Sequence, residues 1–498
     1  MQASRRRPAS ETLVIHFADN VAVALVALRA GERRQGVTLR RDIPAGHKFA
    51  LCDLAPGEQV IKHRFPIGRA TEPITAGDWV HTHNCAAGPS VAFDHAYRPA
   101  ATPLPPYRPS RDTFAGYART DGRVGIRNEL WILPATGCLS GVARRLAAEA
   151  MAQFGHLTPD GIHCFAHSND SSPRGGDHEN TRKLLAALAR HPNAGGVLVL
   201  EYARGEPGAF RQALGAVDEH RVKFLDVLSA ENEIETGLAL LAELASATLQ
   251  EARAQAPVSK LVIGLKCGGS DRFSGITANP LLGAASDALG ACGASAVLTE
   301  VPEMFGAEAL LMNRCRDVRV FAKTVALIDG FKRRLQRDGW EIHGEPSPDD
   351  REEGITTPEE RSLGCTQKGG IGPVTDALAY AGQVTAPGLN LLCAPGDDPR
   401  AVTALAAAGC QLILFATGEG LPLSAPVPMI KVSSTSELAA RKPHWIDFDA
   451  GPLMEGVTMV TLREGLLARL LAVAEGQRTR SEENGCRDLA IFQDGIAP

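Results

Sequence analysis

LVIGLKCGGSDRFSGITANP, residues 261–280, decides how this chain is read. An apolar run, Leu261–Leu265, gives way at Lys266 to a cysteine, two glycines, a serine and an aspartate, and a helix-like segment follows. Buried strands of α/β sheets end this way, where glycines let backbone and ligand come close. The stretch offers a cation (Lys266), a thiol (Cys267), a hydroxyl (Ser270) and a carboxylate (Asp271), a set suited to an anionic polyol. SLGCTQKGG, residues 362–370, repeats these contents, with Cys365, Thr366, Gln367 and Lys368 between glycines. Two ordinary glycine turns would account for either segment alone. Two segments with the same contents point to a site.

Outward from this pair, strand-like runs (Leu261–Leu265, Ala296–Leu298, Leu389–Leu392, Leu412–Phe415) alternate with helical patterns, which predicts a mostly parallel sheet over 256–498. A middle α/β domain is read over 113–255, with a strand at Leu130–Leu133, a helix at Val142–Phe154, an amphipathic helix at Thr181–His191 and a buried strand at Gly196–Leu200. Residues 87–112 are too proline-rich for helix or sheet and read as a linker. Residues 12–86 form a small β-rich module, with strands at Val21–Leu28, Val37–Leu39 and Gln59–His63 between glycine turns. The expected fold class is therefore multidomain α/β.

The 498 residues carry a net charge of −5 with mixed signs, so no basic field points to nucleic acid or anionic membrane. Aromatics are only 5%, against 50 glycines and 32 prolines, which favours a loop-rich enzyme over a base-stacking binder. The arginines of MQASRRRPAS lack an apolar segment behind them, and no apolar run approaches a spanning length. The eleven cysteines lack CxxC pairs, against a disulfide framework or zinc ribbon. The cytoplasm is the expected compartment.

Other candidates carry two readings each. His81 and His83 stand two apart, so an extended strand points both to one face, toward a metal or toward solvent. Asn84 would be their hydrogen-bonding neighbour. Cys138 lies between a strand and a helix, where thiolates are stabilised, although a buried free cysteine would look the same. Asp177 and His178 could supply a base or cap a helix. Lys266, Lys368 and Arg127 could pair a substrate carboxylate, and Glu300 and Glu303 could do acid/base work, with solvated surface charge as the alternative.

Several segments together, among them DNVAVAL (19–25), VHTHN (80–84), DGRVGIRNELWILP (121–134), LKCGGSD (265–271), LTEVPEMFGAE (298–308), SLGCTQK (362–368) and HWIDFDAG (444–451), resemble the altronate/galactarate dehydratase family over nearly the whole chain. The HxHN and CTQK segments resemble its altronate branch. The resemblance implies an SAF-type N-terminal domain and a hydro-lyase that takes water from a sugar acid, D-altronate first, giving 2-keto-3-deoxy-D-gluconate. A proton beside a carboxylate is weakly acidic, and a divalent metal can stabilise the enolate formed by its loss. The resemblance therefore implies Fe2+, with Mn2+ second, and no nucleotide cofactor. It places His81, His83, Cys138, Cys267 and Cys365 at the metal. Catalysis is expected from Lys266, Glu300, Asp177, His178 and Lys368, and substrate binding from Arg127, Asn84, Ser270, Asp271, Thr366 and Gln367. A homo-oligomer is compatible with this picture.

Three loops depart from the family pattern. SNDS (168–171) stands where TYGC is usual, EYARGE (201–206) where GLGCE is usual, and GEGLPLS (418–424) where GRGTPYG is usual. Two thiols and an arginine are thereby replaced, the last by Glu419. These departures motivate two other readings: a lyase for another hydroxy acid, such as galactarate or sulfolactate, and a non-catalytic sugar-acid-binding paralogue.

Overall fold

Seven parallel strands form the largest sheet of the computed structural model, in the order 374–378, 388–392, 295–298, 262–267, 412–417, 429–433, 448–449. The structure describes residues 10–88, 93, 95–100, 102–169, 176–202, 209–339 and 347–492, the backbone alone at 176–178 and 209. The central strands, Val262–Cys267 and Leu412–Thr417, are apolar almost throughout because helices cover both faces. Ala278–Ala291 and Met459–Ala474 pack on one side and Asp398–Ala407 on the other. Each fully buried leucine or isoleucine here contributes ~1.5–3 kcal/mol.

The four strands of the middle sheet are also parallel, ordered 162–164, 129–134, 194–201, 222–226. Helices Ser140–Phe154 and Glu233–Leu249 cover one face. Gly176–Ala189 covers the other and packs against Asp398–Ala407, so the two sheets share one apolar core containing Trp131, Leu184, Leu405 and Phe415. His191 and Asn193 reinforce this junction through the carbonyls of Cys410 and Gln411. Thr113–Ala118 pairs antiparallel with Ala254–Pro257, bringing the two ends of the middle region side by side.

The N-terminal module consists of short antiparallel strands. The expected Val21–Leu28 strand ends at Ala24, and Leu28 makes only an isolated bridge to Ile43. The module docks on the C-terminal region through a buried ion triad. Glu360 accepts from Lys48 and Lys62, both at 2.8 Å, and Lys48 also donates to Gly354 O at 2.9 Å. Parts of the proline-rich linker lie against the same region, with Tyr97 bonded to Cys315 O and Tyr107 to Glu464.

One local reading changes. SLGCTQKGG reads as a second glycine loop, yet Pro358–Thr366 is α-helical and Gln367–Gly369 a 3-10 turn. Thr357 caps the helix, accepting from Glu360 N at 3.1 Å, and Pro358 starts its first turn. Gly364, inside the helix, lies against Gly275, where an added Cβ would meet only an ordinary contact.

Candidate active site

The parallel strands converge on the site with their C-terminal ends, the edge where open α/β sheets bind ligands. Strand Val262–Cys267 delivers two adjacent residues. Lys266 is fully buried, and its ammonium donates to Asp398 at 2.6 Å, to Cys267 O at 2.7 Å and, more closely, to Glu300. The neighbouring strand Ser295–Leu298 leads into Glu300, whose φ of 71° is left-handed, a conformation that costs ~1–3 kcal/mol in a non-glycine residue. That strain aims its carboxylate between Lys266 and Lys368, the latter at 2.9 Å. A Cβ on Gly268 would collide with the Asp398 carboxylate, so the glycine permits this closeness.

Lys368, on the turn after the Pro358–Thr366 helix, places its ammonium 2.6 Å from Cys267 Sγ. Cys365 Sγ lies 3.8 Å from the same sulfur and Glu303 Oε2 3.6 Å from it. Ligand atoms of Cys267, Glu303 and Cys365 all fall within 4.8 Å of one another. Two sulfurs and one carboxylate at that spacing form a donor group for a metal ion.

The acids of this cluster outnumber its ammoniums: Cys267, Glu300, Glu303 and Asp398 face Lys266 and Lys368. A hydrogen bond from Cys365, opposed by burial and aided by Lys368, lowers Cys267 to about 6. That hydrogen bond, with burial, pushes Cys365 up, so one sulfur is the thiolate and the other the thiol. Burial pulls Glu303 upward, but Lys368, Lys266 and Arg361 outweigh it and hold it at about 2. Burial and the charge of Glu303 raise Glu300 to about 8 against both lysines, so Glu300 is where the cluster keeps a proton. Burial works against both ammoniums, yet the anions around them raise both above the usual lysine range.

Cys267, Cys365 and Glu303 line a cleft of about 330 Å³. Ser270, Asp271, Arg272 and Asn279 line it from the segment that follows the strand, and Arg361 from the helix. The N-terminal module supplies Lys62 and His63.

Three family models match end to end: the SAF domain of altronate/galactarate dehydratases over 10–88, the second domain of D-galactarate dehydratase/altronate hydrolase over 116–248, and the C-terminal domain of D-galactarate/altronate dehydratase over 258–497. The chain belongs to the altronate/galactarate dehydratase family. It is 46% identical to altronate dehydratase of Escherichia coli over 97% of this chain and 99% of that one. To altronate dehydratase of Bacillus subtilis it is 45% identical, over 97% of this chain and 98% of that one. Galactarate dehydratase (L-threo-forming) of Escherichia coli is 29% identical over 99% of this chain and 98% of its own length.

Of the residues singled out from this family's motifs, the structure gathers Lys266, Cys267, Ser270, Asp271, Glu300, Cys365 and Lys368 at or directly beneath the cleft. Lys266, Glu300 and Lys368 are buried in the ion cluster, where solvated surface charge was the alternative. Thr366 and Gln367 line a second, more apolar recess of about 510 Å³, which His63 and Leu363 separate from the first.

Others lie elsewhere. Arg127 is buried and spends its guanidinium on Glu482 and on the carbonyls of Ile126, Val473 and Gln477, which ties the middle region to the C-terminal one. Asn84 closes a turn, accepting from His81 N and donating to Trp79 O. His81 bonds to Arg351 O at 3.1 Å, while His83 is exposed beside the Trp79 ring. The 81–84 segment is a turn rather than a continued strand, and both rings lie against Trp79, at 5.1 and 5.3 Å, rather than in the cleft. Cys138 is exposed, 3.0 Å from Thr136 Oγ1, and does not line the cleft. Asp177 and His178 fall in the first turn of Gly176–Ala189, their side chains outside the described residues. Among the altered loops, Ser168 and Asn169 adjoin Gly137 near Cys138, and Glu419 donates its N–H to Gly269 O beside the cleft. Ser171 and residues 203–208 lie outside the described residues.

His63, Lys62, Arg272, Arg361 and Asp398 are among the cleft residues that the sequence pattern does not single out. His63 sits in a hairpin turn, and only its left-handed backbone, invisible in the sequence, distinguishes it.

Proposed function

We propose that this chain is a hydro-lyase that removes water from a sugar acid, D-altronate to 2-keto-3-deoxy-D-gluconate. What carries the reading is the Cys267–Glu303–Cys365 donor group at a polar cleft, in a chain that matches altronate dehydratases along nearly its full length. Metal dependence is general to the family, and Cys267, Cys365 and Glu303 are the residues that would hold a divalent ion, ferrous first and manganous second. Once bound, such an ion supplies positive charge for the enolate and for the departing hydroxyl oxygen.

The protein's own groups do the rest. The Cys365 hydrogen bond and the Lys368 ammonium together keep Cys267 in its thiolate form, so that no unpaired anion is buried. Lys266 and Glu300, both fully buried and paired, brace the floor of the cleft without lining it. Ser270 and Asn279 offer hydrogen bonds to substrate hydroxyls, and the Asn279 Oδ1 is buried without a hydrogen-bond partner among the described residues. Arg361, half exposed at the rim, attracts the carboxylate.

The test is turnover of D-altronate by anaerobically purified protein with ferrous iron and thiol reductant, followed as 2-keto acid. Product that vanishes on chelation and returns with Fe2+ is expected. Failure to form any keto acid from altronate would overturn the reading. Turnover of galactarate or sulfolactate in its place would move the substrate and keep the lyase.

A further inference from the structure

We propose that His63, presented by the N-terminal SAF module, is the residue that carries the proton in the dehydration, so that the active site is completed across two domains. The inference rests on the sugar-acid reading above and goes beyond it by naming the proton carrier.

Two successive residues without glycine's freedom, His63 (φ 54°) and Arg64 (φ 64°), make the turn between strands Gln59–Lys62 and Phe65–Ala70. Such tight hairpin turns favour Asn-Gly, because each left-handed residue with a Cβ costs ~1–2 kcal/mol. A turn by itself has no need of an imidazole there. The surroundings hold it firmly nonetheless: Arg64 N donates to Asp19 at 2.7 Å and Lys62 is tied to Glu360 at 2.8 Å. The result is a ring lining the same cleft as Cys267 and Glu303.

Half-buried His63 also differs from the module's buried histidines. His47 and His81 both spend Nε2 on backbone carbonyls, those of Glu352 and Arg351. The ring of His63 makes no hydrogen bond to any described residue. Burial and the neighbouring Lys62 lower it to about 3, so the free ring is neutral and its lone pair is available. An anionic substrate beside it raises that value toward the working range of a base. The groups of the ion cluster are less free: Glu303 is held as a weakly basic carboxylate, and Lys266 and Lys368 are enclosed in ion pairs.

The step balances without another reactant. The neutral imidazole takes the proton from carbon 2, and the C–H electron pair becomes the carbon 2–carbon 3 double bond as the carbon 3–oxygen bond breaks. The imidazolium gives its proton to the departing hydroxide. Water leaves, the histidine is neutral again, and the enol tautomerises to the keto acid.

The test uses the full-length protein loaded with Fe2+. His63→Gly suits the left-handed backbone, so it should melt at or above the wild-type temperature. It should lose ~10²-fold or more in kcat with KM little changed, and added imidazole should restore part of that loss. His63→Asn, which also tolerates this backbone, should be equally slow and gain nothing from imidazole. Wild-type turnover in a folded His63→Gly, or a slow variant that imidazole does not rescue, would remove the role from His63 and leave the lyase standing. A wild type inert on every sugar acid would overturn both.

Discussion

Two parallel sheets in this chain each bring a cysteine to the C-terminal end of a central strand, and they do different things with it. In the middle sheet, Glu129–Pro134 leads to Cys138, which is exposed and touches a threonine hydroxyl. In the C-terminal sheet, Val262–Cys267 ends on a cysteine buried among two lysines and three carboxylates. Among the described residues, only the second cysteine belongs to a group able to hold a metal. Strand-end placement is therefore insufficient. What differs is that the neighbouring connections, after Ser295–Leu298 and Gly388–Leu392, also deliver charge to the same point. Buried ions cost several kcal/mol each unless paired, and such clusters concentrate where chemistry uses them.

The sharpest way to break this contrast is to remove the thiols one at a time. Cys267→Ser or Cys365→Ser should lower both bound metal and turnover by ~10²-fold or more, since a hydroxyl is a poor soft ligand. Cys138→Ser should stay within about twofold of wild type, because an exposed cysteine away from the cleft carries neither term. Metal analysis beside altronate kinetics checks all three. A severe defect in Cys138→Ser would mean that the middle sheet closes over the cleft during catalysis.

The architecture was legible because it rests on periodicity. Apolar runs such as Leu261–Leu265 and Leu412–Phe415 become strands, each extended by one or two polar residues that burial in the sheet accommodates. The site was legible only in part. Cys267, Cys365 and Lys368 stand in motifs and do converge, whereas Arg127, in an equally recognisable segment, turns out to stitch two domains together. Sequence shows which residues carry charge but not which partner spends it. His63 was hidden for the opposite reason: nothing around it forms a motif, and a hairpin from another domain carries it to the cleft.

A second, smaller effect tests the ion cluster as structure. Lys266→Met keeps the apolar stem but strands Glu300 and Asp398 without their common partner. Removing one member of a buried pair costs ~3–5 kcal/mol. Denaturant unfolding should show that loss, together with reduced turnover. An unchanged midpoint would mean that solvent reaches the cluster and that its charges are cheap to separate.

The smallest expected effect concerns pH and the seam between the SAF module and the C-terminal region. His47 and His81 stack at 5.1 Å, and each donates Nε2–H across the seam to a carbonyl, of Glu352 and Arg351. His47 Nδ1 meanwhile accepts the Trp79 indole N–H, a bond that only the neutral ring can make. Burial lowers both histidines, His81 to about 4, with Lys48 acting in the same direction on each and Glu360 opposing. Both folded values lie below the unfolded value of about 6.5, so the unfolded chain binds protons first as pH falls. Their contribution is complete above about 6.5 and declines as pH drops toward the folded values. Glu360, depressed by Lys48 and Lys62 against its burial, acts only below about 4.3, where the unfolded chain's glutamate begins to take a proton. The melting temperature should therefore fall by a few degrees between pH 7 and pH 5, with Trp79 emission reporting the change. His81→Gln, which keeps a donor for Arg351 O but cannot titrate in this range, should flatten that slope. A slope unchanged in His81→Gln would move the acid sensitivity off His81, onto His47 or onto the Cys267 thiolate, whose value of about 6 lies in the same window.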